Sequence, residues 1–186
     1  MPIREIIIHR KYTEKFFVKK FLQMNEYLLD AIDLRLLSAL QADAGQSNHR
    51  LAADGGVSPA TSLRRIRRLE RLGIIERRVA LLHPQRLAEA VGHGLTALVE
   101  VSLDRQGAEA LDAFEARAIA EPAVRQCYRV SPGPDFVLVV AVRDMPAYLA
   151  LAQRLFTDDA NVRNVKAFFS LKRAKFDPSL PLPEPA

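Results

Sequence analysis

The sequence predicts an α+β protein with an N-terminal winged helix-turn-helix domain and a C-terminal ferredoxin-like βαββαβ domain. Three observations support this prediction. Three short helical patterns with a tight glycine turn occupy the first half of the chain, and strand and helix patterns alternate in the second half. The excess of Lys and Arg over Asp and Glu lies only in the first half. The 186 residues are 49% hydrophobic, so the chain is long and apolar enough to bury a core.

We divide the chain into five segments on the basis of composition shifts and breaking residues. They are an N-terminal extension over 1–27, a helix-turn-helix domain over 28–82, a linker over 83–93, a second domain over 94–173, and a proline-rich tail over 174–186.

The helix-turn-helix prediction rests on residues 28–73. Residues 28–41 carry leucine and isoleucine at helical spacing, and Ser47 or Asn48 is a suitable N-cap for a short helix over 49–54. Gly55 and Gly56 then form the turn. Ser58 and Pro59 are typical of the start of a third helix, which extends to a stop at Gly73.

The apolar, β-rich segment over 74–82 follows the third helix. Its composition fits either a wing strand or the connector to the second domain, and Pro84 marks its end.

The second half gives strand patterns at 96–103, 124–130, 136–142 and 162–172, and helical patterns at 107–120 and 145–156. In the first of these helices we expect Leu111, Phe114 and Ile119 to face inward. The strands are apolar on both sides, so the sheet face without helices would expose apolar side chains to water. We expect a second copy of the chain to pack against that face.

The net charge of +5 is unevenly distributed. Residues 1–27 and 28–82 each carry +3, whereas residues 83–186 carry −1. This asymmetry predicts a polyanion as the partner of the first half.

The third helix supplies most of this charge, because five arginines accompany one acidic residue, Glu70, over 58–73. A helical wheel places Leu63, Ile66, Leu69 and Leu72 on one side. Residues near the start of a recognition helix reach base edges, and later ones meet phosphates. We therefore expect base-edge contacts from Ser58, Ala60, Thr61, Arg64 and Arg65, and phosphate contacts from Arg68, Arg71, Arg77 and Arg78. A solvated basic face that forms ion pairs within the fold is the alternative.

The motifs LDAIDLRLLSALQADAG at 29–45, SPATSLRRIRRLERLGIIERRVALLHPQRL at 58–87 and QCYRVSPGPDFVLVVAVRDMPAYLAL at 126–151 resemble the Lrp/AsnC (feast-or-famine) family of transcription regulators. The resemblance extends to about residue 172. It implies a DNA-binding helix-turn-helix followed by a βαββαβ ligand-sensing (RAM) domain. It also implies a homodimer that can assemble up to an octamer, and regulation by a small-molecule effector such as an amino acid.

The resemblance places effector contacts at Ser131, Gly133, Asp135 and Phe136, in the turn between two strands of the RAM domain. The sequence departs from the family pattern there, because Pro132 stands where glycine is usual and Gly133 comes one place later. Proline removes an amide donor, which leaves effector binding an open question. A tight turn without a binding role is the alternative.

The first 23 residues lie outside the resemblance, and Met24 resembles a natural family start. A start codon assigned too early is one interpretation. The other is a basic amphipathic arm that contacts DNA or a partner subunit. In this arm, lysines lie beside phenylalanines: Lys11, Lys15, Lys19 and Lys20 beside Phe16, Phe17 and Phe21.

An enzyme is the less favoured function. The four histidines lack metal-ligand spacing, the single Cys127 excludes an internal disulfide, and no cofactor motif is present. The sirohaem decarboxylases, which resemble the same two-domain architecture, are the alternative, and a ligand sensor without DNA is a third class. No apolar run reaches the roughly 18 residues of a membrane span. We therefore predict a sequence-specific, DNA-binding transcriptional regulator in the cytoplasm, with no membrane partner.

Overall fold

The computed structural model describes residues 28–92 and 94–183, and the chain divides into two compact units. Among the described residues, the first unit contains 28–80 together with 177–183, and the second contains 81–92 and 94–176. The predicted extension over 1–27, including the choice between an arm and an early start, lies outside the described residues.

Three helices form the first unit, as predicted. They are α1 (Ala31–Ala42), α2 (Asn48–Gly55) and α3 (Pro59–Arg71). Each begins at a side chain that accepts a hydrogen bond from a backbone N–H of its first turn: Asp30 for α1, Ser47 for α2 and Ser58 for α3. Gly56 ends α2 in the left-handed conformation, with φ of 67°, and so makes the tight turn into α3.

The core of the first unit is formed by Leu36, Leu40, Leu51, Ile66 and Leu69. The predicted inner face of α3 is partly wrong, because Leu63 is 41% exposed and the small Ser62 is buried instead. A spacing of three residues turns a side chain by about 60° around a helix of 3.6 residues per turn. Leu63 and Leu72 therefore point to opposite sides and cannot both share the side of Ile66 and Leu69.

Residues 74–82 contain no strand, so the structure favours the connector interpretation of this segment over a wing strand. Backbone N–H groups of Ile74 and Ile75 donate to the Leu69 carbonyl, which closes the end of α3. The chain then continues without regular structure to His83. The predicted linker contains a helix, α4 (Pro84–Val91), which Gly92 ends with φ of 77°.

The second unit contains a four-stranded antiparallel sheet in the order β2-β3-β1-β4. Its strands are β1 (Leu95–Leu103), β2 (Val124–Arg129), β3 (Phe136–Val142) and β4 (Val162–Phe169). Two helices connect them, α5 (Ala108–Ala120) and α6 (Met145–Ala152), and a single π-helical turn over Gln153–Thr157 follows α6. The predicted βαββαβ order is therefore confirmed.

One face of the sheet packs against α5 and α6. Val99 and Val101 of β1 and Leu138 of β3 are buried there against Phe114 and Leu151. The prediction that Ile119 faces inward is wrong, because Ile119 is 67% exposed and Ala118, one turn after Phe114, takes the inner position.

The opposite face of the sheet is the open face, defined by Leu98, Tyr128, Val137, Val139 and Phe168. Leu98 pairs in register with both Val139 and Phe168, and Tyr128 pairs with Val137. Leu98, Tyr128 and Phe168 are exposed, so this face carries an apolar strip across all four strands.

Among the helices of residues 28–92 and 94–183, none combines the length and the apolar character needed to cross a membrane.

Candidate nucleic-acid interface

The outer side of α3 exposes a row of arginines. Ala60, Arg64, Arg67 and Arg71 recur at intervals of three or four residues and are exposed, with Leu63 beside them. We call these five residues the α3 stripe. All five line one groove, together with neighbouring side chains of α3 and the start of α1.

Two carboxylates at the start of α1 hold the adjacent side of α3. Arg65 Nη1 lies 2.7 Å from Asp30 Oδ2 and 2.9 Å from Asp33 Oδ1, and Arg68 Nη1 lies 3.2 Å from Asp33 Oδ2. Arg68 also donates to the Leu28 carbonyl at 3.3 Å. Asp33 is 1% exposed, so its charge is compensated by the two guanidinium groups.

The same two carboxylates also cap α1. Asp30 Oδ1 accepts from the Asp33 backbone N–H at 2.9 Å, and Asp33 Oδ2 accepts from the Asp30 backbone N–H at 3.4 Å. The bond from the Asp33 N–H, and then the bond from Arg65, lower the pKa of Asp30. The bond to Asp30 in turn raises the pKa of Arg65.

The structure therefore divides the predicted DNA-binding arginines into two sets. Arg64 and Arg71 lie on the α3 stripe, whereas Arg65 and Arg68 are partly buried and turned toward Asp30 and Asp33. Arg65 forms ion pairs within the fold, and its predicted contact near base edges stays a prediction. Acids in a different helix are invisible to a helical wheel, which shows only neighbours within one helix.

Arg67 is not among the predicted DNA contacts, yet it lies on the exposed α3 stripe. Its spacing from Arg64 and Arg71, three residues after one and four before the other, was the available signal.

The remaining predicted DNA contacts lie at the two ends of α3. Ser58 Oγ accepts from the Thr61 backbone N–H at 3.3 Å and donates to Thr61 Oγ1 at 3.0 Å, so both hydroxyls are engaged at the N-cap. Beyond the helix, Arg78 pairs with Glu70 at 2.5 Å. Arg77 remains largely exposed, 3.9 Å from Glu76.

The predicted effector turn, from Ser131 to Phe136, is attached to β1 through Asp135. Asp135 Oδ2 accepts from the Leu103 backbone N–H at 2.7 Å, and its own N–H donates to the Val101 carbonyl at 2.9 Å. The side chain therefore joins the turn to β1.

Phe136 is fully buried, and its ring lies 4.8 Å from that of Phe114. The ring therefore belongs to the core of its own domain, and an effector contact at Phe136 stays a prediction. Ser131 and Gly133 are exposed, the Ser131–Pro132 peptide is cis, and Gly133 has φ of 125°.

Among the described residues, no three His, Cys, Asp or Glu side chains are grouped to hold a metal ion. Burial raises the pKa of the Cys127 thiol, which disfavours the reactive thiolate.

Comparison with known proteins identifies both units. Residues 29–76 match the model of a winged helix-turn-helix DNA-binding domain, and residues 96–180 match that of the Lrp/AsnC ligand-binding domain. The Bkd operon transcriptional regulator of Pseudomonas aeruginosa is 36% identical over 83% of this chain and 98% of its own length. This chain belongs to the Lrp/AsnC family of transcriptional regulators.

Solved structures agree with this Lrp/AsnC assignment. An AsnC-family transcriptional regulator from Agrobacterium tumefaciens has a TM-score of 0.71 and 32% identity, over 82% of this chain and 97% of that one. A regulator from Neisseria meningitidis, solved as a complex with L-methionine, has a TM-score of 0.71 and 31% identity, over 83% of this chain and 97% of that one. The leucine-responsive regulatory protein of Rhizobium meliloti is 35% identical over 79% of this chain and 92% of its length.

In this Lrp/AsnC regulator the matched segments contain most of the predicted site residues. The winged helix-turn-helix match includes all of α3 and stops before Arg77 and Arg78. The ligand-binding match includes the turn from Ser131 to Phe136 and extends into the tail as far as Leu180.

Proposed function

We propose that this Lrp/AsnC regulator binds a specific double-stranded DNA sequence in the cytoplasm, with α3 as its recognition helix. The observation that supports the proposal most strongly is the α3 stripe, which exposes Arg64, Arg67 and Arg71 on one side of a helix. The opposite side of that helix is fixed by Ile66 and Leu69 in the core.

The placement of the arginines suggests a division of roles. Arg64 and the exposed start of α3 lie where a recognition helix reaches base edges, and a guanidinium fits guanine or phosphate in two-point contacts. Arg67 and Arg71 follow along the same side and suit phosphates. Arg65 and Arg68 support the helix through Asp33, which keeps the stripe in a fixed orientation.

We propose that a second copy of the chain covers the open face of the sheet. Exposed Leu98 and Phe168 pair in register, and exposed Tyr128 pairs with Val137, two residues along β3 from the Val139 partner of Leu98. An exposed apolar patch of this kind is typical of an interaction surface. A symmetric pair would present two copies of α3 to half-sites about one duplex turn apart, or a multiple of it. We propose that such dimers can assemble further, up to an octamer.

We propose an amino acid or a related small molecule as the effector of the second domain. The support comes from the solved relatives, since the Neisseria meningitidis regulator and a feast or famine regulatory protein of Mycobacterium tuberculosis are complexes with L-methionine. Ser131 and Gly133 are the accessible members of the predicted effector turn. Effector binding would change the spacing or assembly of the DNA-binding domains.

The sirohaem-decarboxylase alternative has less support, because the relatives are named as regulators of transcription. We propose that the chain is not an enzyme. Purified protein without absorbance from a bound tetrapyrrole is the result expected for a regulator.

Fluorescence anisotropy against the protein's own promoter region, as a function of salt, tests the proposal. We expect the complete chain to form a complex, and Arg64→Ala to relax discrimination at one base position. Arg105→Ala, which removes the same charge from an exposed loop of the second unit, is the matched control and should bind like the parent. Absence of any complex at micromolar protein and low salt would contradict the proposal.

A further inference from the structure

Leu63 is the apolar member of the α3 stripe. It is 41% exposed, whereas Ile66 and Leu69 of the same helix are buried. It lines the same groove as Ala60, Arg64 and Arg67. The core of the first unit is therefore complete without Leu63.

The chemistry of this surface limits what Leu63 can contact. Guanidinium groups pair with phosphate oxygens or with guanine, but a leucine side chain neither donates nor accepts hydrogen bonds. Among the groups that the four bases present in the major groove, the 5-methyl of thymine is the apolar one. A leucine on the DNA-facing side of a recognition helix is therefore complementary to thymine.

We propose that Leu63 is a specificity-determining residue that packs against the 5-methyl group of a thymine in each half-site. This inference rests on the proposed function. Leu63 directly precedes Arg64, a rise of about 1.5 Å along the helix, which is less than one base-pair step of about 3.4 Å. The thymine therefore lies within about two base pairs of the base that Arg64 reads.

Replacing thymine by deoxyuridine removes the methyl group and leaves base pairing intact, so it tests the contact directly. The complete chain first selects its preferred duplex from a random pool, and each thymine of that duplex is then replaced in turn. Anisotropy at constant salt should show that one replacement per half-site weakens binding about three- to fivefold, the value expected for one buried methyl group.

Two variants assign this effect to Leu63. Leu63→Ala should bind thymine and deoxyuridine equally at the sensitive position, and its thermal unfolding should match the parent because the side chain lies outside the core. Leu28→Ala removes another exposed leucine that lines the groove but lies outside α3. This control should keep the discrimination.

The outcomes separate this inference from the proposed function. A preferred duplex without a deoxyuridine-sensitive position, or discrimination that persists in Leu63→Ala, overturns the inference alone. A random pool that yields no preferred sequence overturns the proposed function and the inference with it.

Discussion

Arg65 Nη1 donates to Asp33 Oδ1 across 2.9 Å, so that α3 is tied to α1 through a buried carboxylate. Asp33 also accepts from Arg68 and closes the capping box of its own helix. One side chain thus fixes both the start of α1 and the rotation of α3. The α3 stripe is presented outward because the neighbouring arginines are held.

Asp33→Asn should destabilise the first unit more than Asp30→Asn does. The first change removes a buried charge that two arginines contact, at a cost of about 1–3 kcal/mol. Asp30 is about half exposed and asparagine caps helices equally well, so the second change should cost less than about 1 kcal/mol. Urea unfolding followed by circular dichroism measures the free energy of unfolding of both variants. Equal decreases in that free energy would contradict a central role for Asp33.

Arg67→Ala and Arg68→Ala should separate DNA contact from helix support. Because Arg67 lies on the α3 stripe, its removal should lower the slope of log affinity against log salt by about one and leave folding within about 0.5 kcal/mol. Arg68→Ala removes a bond to Asp33, so it should lower stability by about 1–2 kcal/mol and change the slope less. A larger slope change in Arg68→Ala than in Arg67→Ala would support the sequence-based prediction that Arg68 contacts phosphate.

Asp135→Ala should destabilise the second unit by about 1–3 kcal/mol, because it leaves the Leu103 backbone N–H without its 2.7 Å acceptor. Ser131→Ala, an exposed change in the same turn, is the control and should stay within about 0.5 kcal/mol. Thermal unfolding compares the two. If Asp135→Ala were as stable as the control, the carboxylate would be available for an effector instead.

The stability of the first unit should fall in acid partly through Asp30. The pKa of this carboxyl is lowered in the folded chain, so the unfolded chain takes up the proton first as pH falls. The contribution of Asp30 is therefore complete above its ordinary pKa of about 3.8 and is lost as pH falls through the lower folded value. Unfolding midpoints between pH 5 and pH 2.5 should vary less steeply in Asp30→Asn, and an unchanged profile would count against this assignment.

Gln41→Ala should release the C-terminal tail from α1. Gln41 accepts from the Leu180 backbone N–H at 2.6 Å and donates to the Leu180 carbonyl at 3.1 Å, all within the first unit. Hydrogen exchange at the Leu180 amide should therefore become faster in this variant. Gln46→Ala, which removes an amide that donates to the Ala39 and Asp43 carbonyls, should leave that exchange rate unchanged. Equal protection of Leu180 in both variants would show that Gln41 does not hold the tail.

Local patterns in the sequence determined the order of helices and strands. The third helix begins at Pro59, directly after Ser58, and ends before Gly73. These limits were predictable because capping and φ preferences act over a few residues. The strand over 136–142 was predicted at its observed bounds because a continuous apolar run is typical of a buried strand. The charge excess and the family motifs were likewise present in the sequence.

The tertiary structure decided which side chains of these elements are available. Arg65 and Arg68 were assigned to DNA, and Leu63 to the core, from a wheel that contains no neighbouring helix. Asp30 and Asp33 lie more than thirty residues before Arg65 in the chain. Their hydrogen bonds to Arg65 therefore form only when α1 packs beside α3. The sequence determined by itself that a cationic helix follows a tight turn. Packing between helices decided the rotation of that helix, and with it which arginines face outward, because burial depends on contacts distant in sequence.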